Sequence, residues 1–241
     1  MIVLGIETAT QQVGCALGGP EGVVASFHAA RGRRHAEMLA PAIEFVSKQA
    51  RIPLSEVVVV AVDTGPGLFT GLRVGIATGK AIAQGLRVPM VGLSSLDLLA
   101  FPLRHADRLI AAVIDAKRGE VFRALYRPVP GGVQQVAAPI VCSPAELAAE
   151  VMAMGEGCLL VGDGAIRYAE VFDDRRRVEV GDVGLAYPSA GALVELAHPR
   201  AIREEFVQPS ELQPLYLRKS DAEINWDRRR SAEGVAAERT A

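Results

Sequence analysis

The chain reads as an α/β protein of two lobes, each a mixed sheet that opens with a β-hairpin. Three observations predict this. The β-branched run Val57 to Val62 ends in Asp63-Thr64-Gly65-Pro66-Gly67 and passes into a helical stretch, giving strand, glycine loop and helix in succession. Apolar residues recur at helical spacing in the segments between the strand-like runs. The hairpin pattern at the start of the chain returns near residue 108.

In order, Ile2–Ile6 is a strand, Glu7–Gln12 a polar turn and Val13–Leu17 the return strand. Gly18-Gly19-Pro20-Glu21-Gly22 closes a hairpin onto a third strand, Val23–His28. From Arg34 to Ala50, Met38, Leu39, Ala42, Phe45 and Val46 mark one helix face, with Lys48 and Arg51 near its C-terminal end. After the Val57–Val62 strand and the glycine loop, Thr70 is the expected N-cap of a helix over Gly71–Gly85. Pro89–Leu93 is a short strand, and Ser94 or Ser95 caps a helix through Leu99.

Arg108–Ile114, the polar turn Asp115–Glu120 and Val121–Tyr126 then restate the opening hairpin. Ile114 falls on Ile6, Asp115 on Glu7, Val121 on Val13, Ala124 on Ala16 and Leu125 on Leu17 without a gap. Ser143-Pro144 starts a helix to Met154, Cys158–Val161 is a strand, Gly162–Ala165 leads into a helix, and Tyr187-Pro188-Ser189 opens another to His198. The expected organisation is a lobe over 1–105, a second over 106–218, and a charged, flexible tail over 219–241.

Half of the 241 residues are hydrophobic but only 5% are aromatic, so the cores must be made of Val, Leu, Ile and Ala. A formal net charge of −2 gives the chain no bulk attraction to nucleic acid. Cys15, Cys142 and Cys158 are odd in number, far apart and form no CxxC, so they read as buried apolar side chains in a reducing compartment. The N-terminus has no basic stretch ahead of its apolar run, and no run approaches the ~20 residues a membrane helix needs. A cytoplasmic protein is expected.

Gly71, Gly75 and Gly79 recur every fourth residue, followed by Ala83. A helical Gly costs about 1 kcal/mol relative to Ala, so the stripe needs a reason. Either the helix packs closely on its own sheet, or the stripe receives a helix of another protein. The glycine loop before it suits an anion or a closely approaching backbone. Gly75–Ala81 is not a Walker motif, having three residues between its glycines and no Ser or Thr after Lys80, and Gly65-Pro66-Gly67 does not continue as GxGxxG. His28, His35, His105 and His198 form no ligand-spaced pair, and there is no GxSxG elbow. Glu7 and Asp115 either face a common cleft and hold a hydrated Mg²⁺ near phosphates, or each caps its own turn.

Gly5–Thr10, Gly65–Gly75, Ile114–Val121 and Pro214-Leu215-Tyr216-Leu217-Arg218 together resemble the TsaB (YeaZ) family of Gcp-like proteins, over residues 1–218. That family is needed for the threonylcarbamoyl modification of tRNA adenosine 37. The resemblance implies a two-lobed actin/Hsp70/sugar-kinase fold and a non-catalytic subunit. Its partners would be a TsaD-like transferase and a TsaE-like ATPase, with tRNA met only through the complex and a homodimer formed by the same face. The related TsaD carries HxxxH on its first long helix, whereas here His35 is followed four residues later by Leu39. Family members dimerise through the first two long helices, which implies an interface of His35, Met38, Ala42, Phe45, Val46, Leu72, Gly75, Gly79 and Ala83. No cofactor is implied for the chain itself. ATP or ADP with Mg²⁺ in the complex would lie at Glu7, Thr8, Gly65, Gly67 and Asp115, with Glu7 where the family more often has Asp. The alternative is a stand-alone ATPase or phosphotransferase of the same fold using those residues.

Overall fold

The computed structural model describes residues 1–30, 32, 34–172 and 177–218; the tail expected over 219–241 lies outside the described residues. The first sheet contains β1 (Ile2–Glu7), β2 (Val13–Gly19), β3 (Gly22–Ala29), β4 (Val57–Gly65) and β5 (Met90–Ser94) in the order β3-β2-β1-β4-β5. β1 and β3 both pair antiparallel to β2, while β1, β4 and β5 run parallel. The second sheet contains β6 (Leu109–Lys117), β7 (Glu120–Val129), β8 (Gly132–Cys142), β9 (Cys158–Val161) and β10 (Val178–Val180) in the order β10-β9-β6-β7-β8. Counted from its own first strand this is the same plan, with the same strand directions. The chain therefore has the duplicated two-lobed α/β fold of the actin/Hsp70/sugar-kinase type.

The repeat is offset by one residue where the ungapped alignment has none. Glu7 faces Gly14 across the first hairpin, but Asp115 faces Val121 across the second, so the second turn is one residue shorter. The irregularity between Asp115 and Lys117 accommodates the difference. β8 had no counterpart in the sequence reading. It is an edge strand containing Pro139, a residue that sheets tolerate at their edges or bulges.

Both faces of the first sheet are covered, which explains why β1 and β2 are buried almost throughout. On one face, Leu4, Ile6, Cys15 and Leu17 pack against Leu39 and Val46 of α1 (His35–Ala50) and Ile76 and Ala83 of α2 (Phe69–Leu86). The other face comes from far along the chain. Ala190, Leu193, Val194 and Ala197 of the last helix (Ala190–Ile202) lie on Val3, Ala16, Val59 and Ala61. Conversely, Leu96 and Leu99 of α3 (Ser95–Ala100) pack on Ile110, Ala112 and Ile114 of the second sheet. That sheet's other face is covered by Leu147 and Val151 of α4 (Pro144–Met154) and Ala165 of α5 (Asp163–Arg167). Each half thus lends its final helix to the other half's sheet. The contiguous spans 1–105 and 106–218 divide the strands but not the helical layers, because α6, the Ala190–Ile202 helix, belongs to the first sheet.

After α6 the chain returns to the first lobe and then crosses to the second. Val207 bridges Met90, Leu212 enters the first core, and the Leu215 N–H donates to the Thr64 carbonyl at 2.7 Å. Leu217 then packs on the second lobe, where Arg218 Nη1 reaches Glu120 Oε2 at 3.0 Å. Caps follow the sequence at Ser94, Ser143 and Ser189. They do not at α2, which begins at Phe69 with Leu68 in the capping position, leaving Thr70 inside the first turn.

Candidate functional site

The first turn is tied up by its own side chains. Glu7, wholly buried at the end of β1, accepts the Ala9 N–H on Oε1 at 2.8 Å. Thr10 Oγ1 accepts the Gln12 N–H at 3.3 Å, and His35 Nε2 donates to the Thr10 carbonyl at 2.9 Å, holding α1 against the turn. Thr8 Oγ1 donates to the Gly71 carbonyl at 2.8 Å, and the Leu68 N–H donates to Ala9 at 2.6 Å.

These last two bonds seat Thr8 and Ala9 in the glycine loop itself. A Cβ on Gly67 would strike the Ala9 carbonyl, one on Gly71 the Thr8 carbonyl and one on Gly75 the Thr8 hydroxyl; one on Gly79 would lie 2.5 Å from Val62 Cγ1. The closely approaching group for which the loop is built is thus the chain's own backbone, and the stripe continues as the contact between α2 and its own sheet.

Asp115, which the repeat places opposite Glu7, plays the same local part. Its Oδ1 accepts the Lys117 N–H at 2.8 Å, while Oδ2 meets Lys117 Nζ at 2.7 Å and Arg167 Nη1 at 3.3 Å. The Asp115 N–H donates to Asp163 Oδ1 at 2.9 Å, and burial pushes the Asp163 carboxyl up. Of the two readings of Glu7 and Asp115 the local one holds, each carboxylate accepting the N–H two residues on in its own turn, and no shared cleft forms. Asp115 lines the cleft and already holds two side-chain cations, whereas Glu7 is sealed from it.

Glu7's acidic neighbour is instead Asp63, a residue given no role by the sequence reading. Ile6 pairs with Val62 in parallel register, so the next positions, Glu7 and Asp63, stand side by side on adjacent strands. Asp63 Oδ1 accepts the Gly65 N–H at 2.7 Å and the Ser95 hydroxyl at 2.6 Å. Glu7 Oε2 and Asp63 Oδ2 are both buried without a hydrogen-bond partner among the described residues. Burial, and then the Asp63 charge, raises Glu7 well above the carboxylate range, and burial raises Asp63 to about 7. The signal was a carboxylate ending an otherwise apolar strand; Glu7, Asp63 and Asp115 all accept the N–H two residues on.

The implied interface residues divide sharply. His35, Ala42, Val46, Leu72, Gly75, Gly79 and Ala83 are buried in the chain's own structure, at core and packing positions. Met38 is half-buried, and Phe45 remains 51% exposed, its ring edge-on to Phe27 at 6.3 Å. The outer surface of the two helices carries Pro41, Phe45, Ala77 and Ala81, with Met38, Val74 and Ile82 half-buried. Leu39, at the second histidine position of HxxxH, is a core residue. Among the described residues no three His, Cys, Asp or Glu side chains gather as metal ligands, and no helix is long and apolar enough to cross a membrane.

Fold and turns together define a two-lobed kinase-like chain whose glycine loop is closed upon its own first turn. A family model described as TsaD, tRNA N6-adenosine threonylcarbamoyltransferase, matches residues 22–226, and the chain belongs to this family. Among curated relatives, the Bacillus subtilis protein named tRNA threonylcarbamoyladenosine biosynthesis protein TsaB is 28% identical, over 94% of this chain and 98% of its own. An uncharacterised Mycobacterium tuberculosis protein is 31% identical over 91% and 93% respectively. The solved structure of YeaZ from Pseudomonas aeruginosa superimposes with a TM-score of 0.79 at 28% identity, covering 90% of this chain and 99% of that one.

Proposed function

We propose that this chain serves the threonylcarbamoylation of tRNA adenosine 37 as a non-catalytic subunit that docks a TsaD-like transferase. The names carried by its relatives supply the pathway. The observation that favours docking over catalysis is the filled glycine loop. Thr8 and Ala9 occupy it, Glu7 is sealed and Asp115 is neutralised, while the outer helix layer carries an exposed Phe45 beside Pro41 and small residues. Aromatic side chains are enriched at protein interfaces relative to the rest of the surface. In this reading the same layer supports a homodimer when the transferase is absent, a TsaE-like ATPase joins the assembled complex, and any ATP or ADP with Mg²⁺ belongs to that complex. The setting is the cytoplasm.

The test is co-purification with the transferase. Phe45→Glu is expected to weaken association about 30-fold or more, as for an interface anchor, with the thermal midpoint of the isolated chain unchanged within a degree or two. Undiminished association, or ATP turnover by the chain alone that Glu7→Ala abolishes, would overturn the proposal.

A further inference from the structure

Between the lobes lies a cleft of about 600 Å³ that the docking reading leaves unused. Its walls are Pro66–Leu68 of the glycine loop, Phe69, Thr70 and Arg73 at the start of α2, Asp115–Lys117 of the second turn and Leu215–Arg218 of the closing segment. Three of the four stretches that carry the family resemblance therefore meet here. Two of the side chains they present are exposed aromatic rings. Phe69 and Tyr216 are 40% and 46% exposed, with ring centroids 5.5 Å apart and planes tilted by 32°. The Arg73 guanidinium lies 3.7 Å above the Phe69 ring and, among the described residues, has no carboxylate partner.

Arg73, Lys117 and Arg218 line the cleft with Asp115; Lys117 pairs with Asp115 and Arg218 with Glu120, which leaves Arg73 as the lining cation without a carboxylate partner among the described residues. Asp115 is further neutralised by Arg167. A ligand matching this surface carries negative charge and a flat face that stacks on exposed rings, which is the chemistry of a nucleotide with its base unstacked. The volume is of the size that takes one such unit. Paired RNA hides its base faces, so an unpaired loop fits better than a helix. We infer that the inter-lobe cleft receives an unpaired nucleotide of an RNA loop, placing Phe69 and Tyr216 against the base and Arg73 against phosphate. This rests on the tRNA reading above and adds a direct RNA contact to it.

The experiment uses the full chain alone and fluorescence anisotropy at low salt. The probes are a labelled RNA hairpin with an unpaired loop and a perfect RNA duplex of equal length. Micromolar binding of the hairpin is expected, with the duplex about tenfold weaker. Tyr216→Ala and Arg73→Glu should each weaken the hairpin about tenfold, as losses of a stacking ring or phosphate contact do, without moving the thermal midpoint. Phe45→Glu should leave RNA binding as it is, so loss of docking and loss of RNA binding are separate results. Equal affinity for hairpin and duplex, or no effect of both cleft substitutions, would overturn the inference. So would full displacement of the hairpin by equimolar AMP, which points to a free nucleotide, or by polyglutamate, which points to an acidic protein segment.

Discussion

Gly75→Ala is expected to lower the thermal midpoint by roughly 4–8 °C, the response of a chain this size to about 2 kcal/mol. The added Cβ has nowhere to go, because the Thr8 hydroxyl fills that space and is itself held by its bond to the Gly71 carbonyl. Overpacking of this kind costs about 1–3 kcal/mol and displacing the hydroxyl about 1 more, against about 1 kcal/mol regained in helix propensity. Gly85→Ala is the matched control. It lies in the same helix with nothing near its Cβ position, so it should gain about 0.5–1 kcal/mol. Opposite signs in the two melting curves would show the stripe to be a contact with the chain's own first turn. A Gly75→Ala protein as stable as the parent would refute that. Gly75→Leu is uninformative about partners, since a side chain wedged between α2 and β1 removes the fold together with any association.

The stripe also marks where sequence reasoning ends. Close approach demands glycine whether the approaching surface is the chain's own or another's, so spacing alone left both readings open. The strands were legible because burial on both sheet faces produces runs such as Val57–Val62, which few other structures require. The duplicated plan was legible from the two hairpins, but the one-residue offset was not, since the irregularity at Asp115 leaves both flanking runs apolar. The exchange of α3 and α6 was hidden for another reason. Ala190, Ala192, Ala197 and Ala201 with Leu193 and Val194 make a face that suits either sheet, so only topology decides which it covers. Asp63 was visible as a residue but not as a partner for Glu7, because that relation follows from parallel register and has no local signature.

The Glu7–Asp63 pair has a consequence for stability against pH. A carboxyl raised in the folded state keeps its proton there over a range in which the unfolded chain has already released it. Folding then takes up protons, so stability from this pair is greatest near the ordinary carboxylate range and declines as pH rises toward the folded pKa values. Asp63, at about 7, sets the window from about pH 4 to 7, and Glu7, raised well above its usual range, extends the decline upward. The groups facing the pair are the Gln12 side chain and the Ala9 and Thr10 backbone at Glu7, and Ser95, the Gly65 N–H and Asp97 at Asp63. None of them is a cation, so the negative charge is not offset locally. An Asp63 carboxyl titrating at about 7 costs the fold on the order of 4 kcal/mol once ionised. The wild-type thermal midpoint should therefore fall between pH 5 and pH 8. Asp63→Asn keeps the shape and the acceptor for the Gly65 N–H and the Ser95 hydroxyl but cannot acquire charge, so it should be close to neutral at pH 5 and several degrees more stable than wild type at pH 8. Melting curves across that range decide the matter. A wild-type midpoint that rises toward pH 8, or an Asp63→Asn curve parallel to it, would mean that ionisation of the buried Asp63 carboxyl is not what destabilises the fold, because only removal of the group that acquires charge in this window flattens the profile.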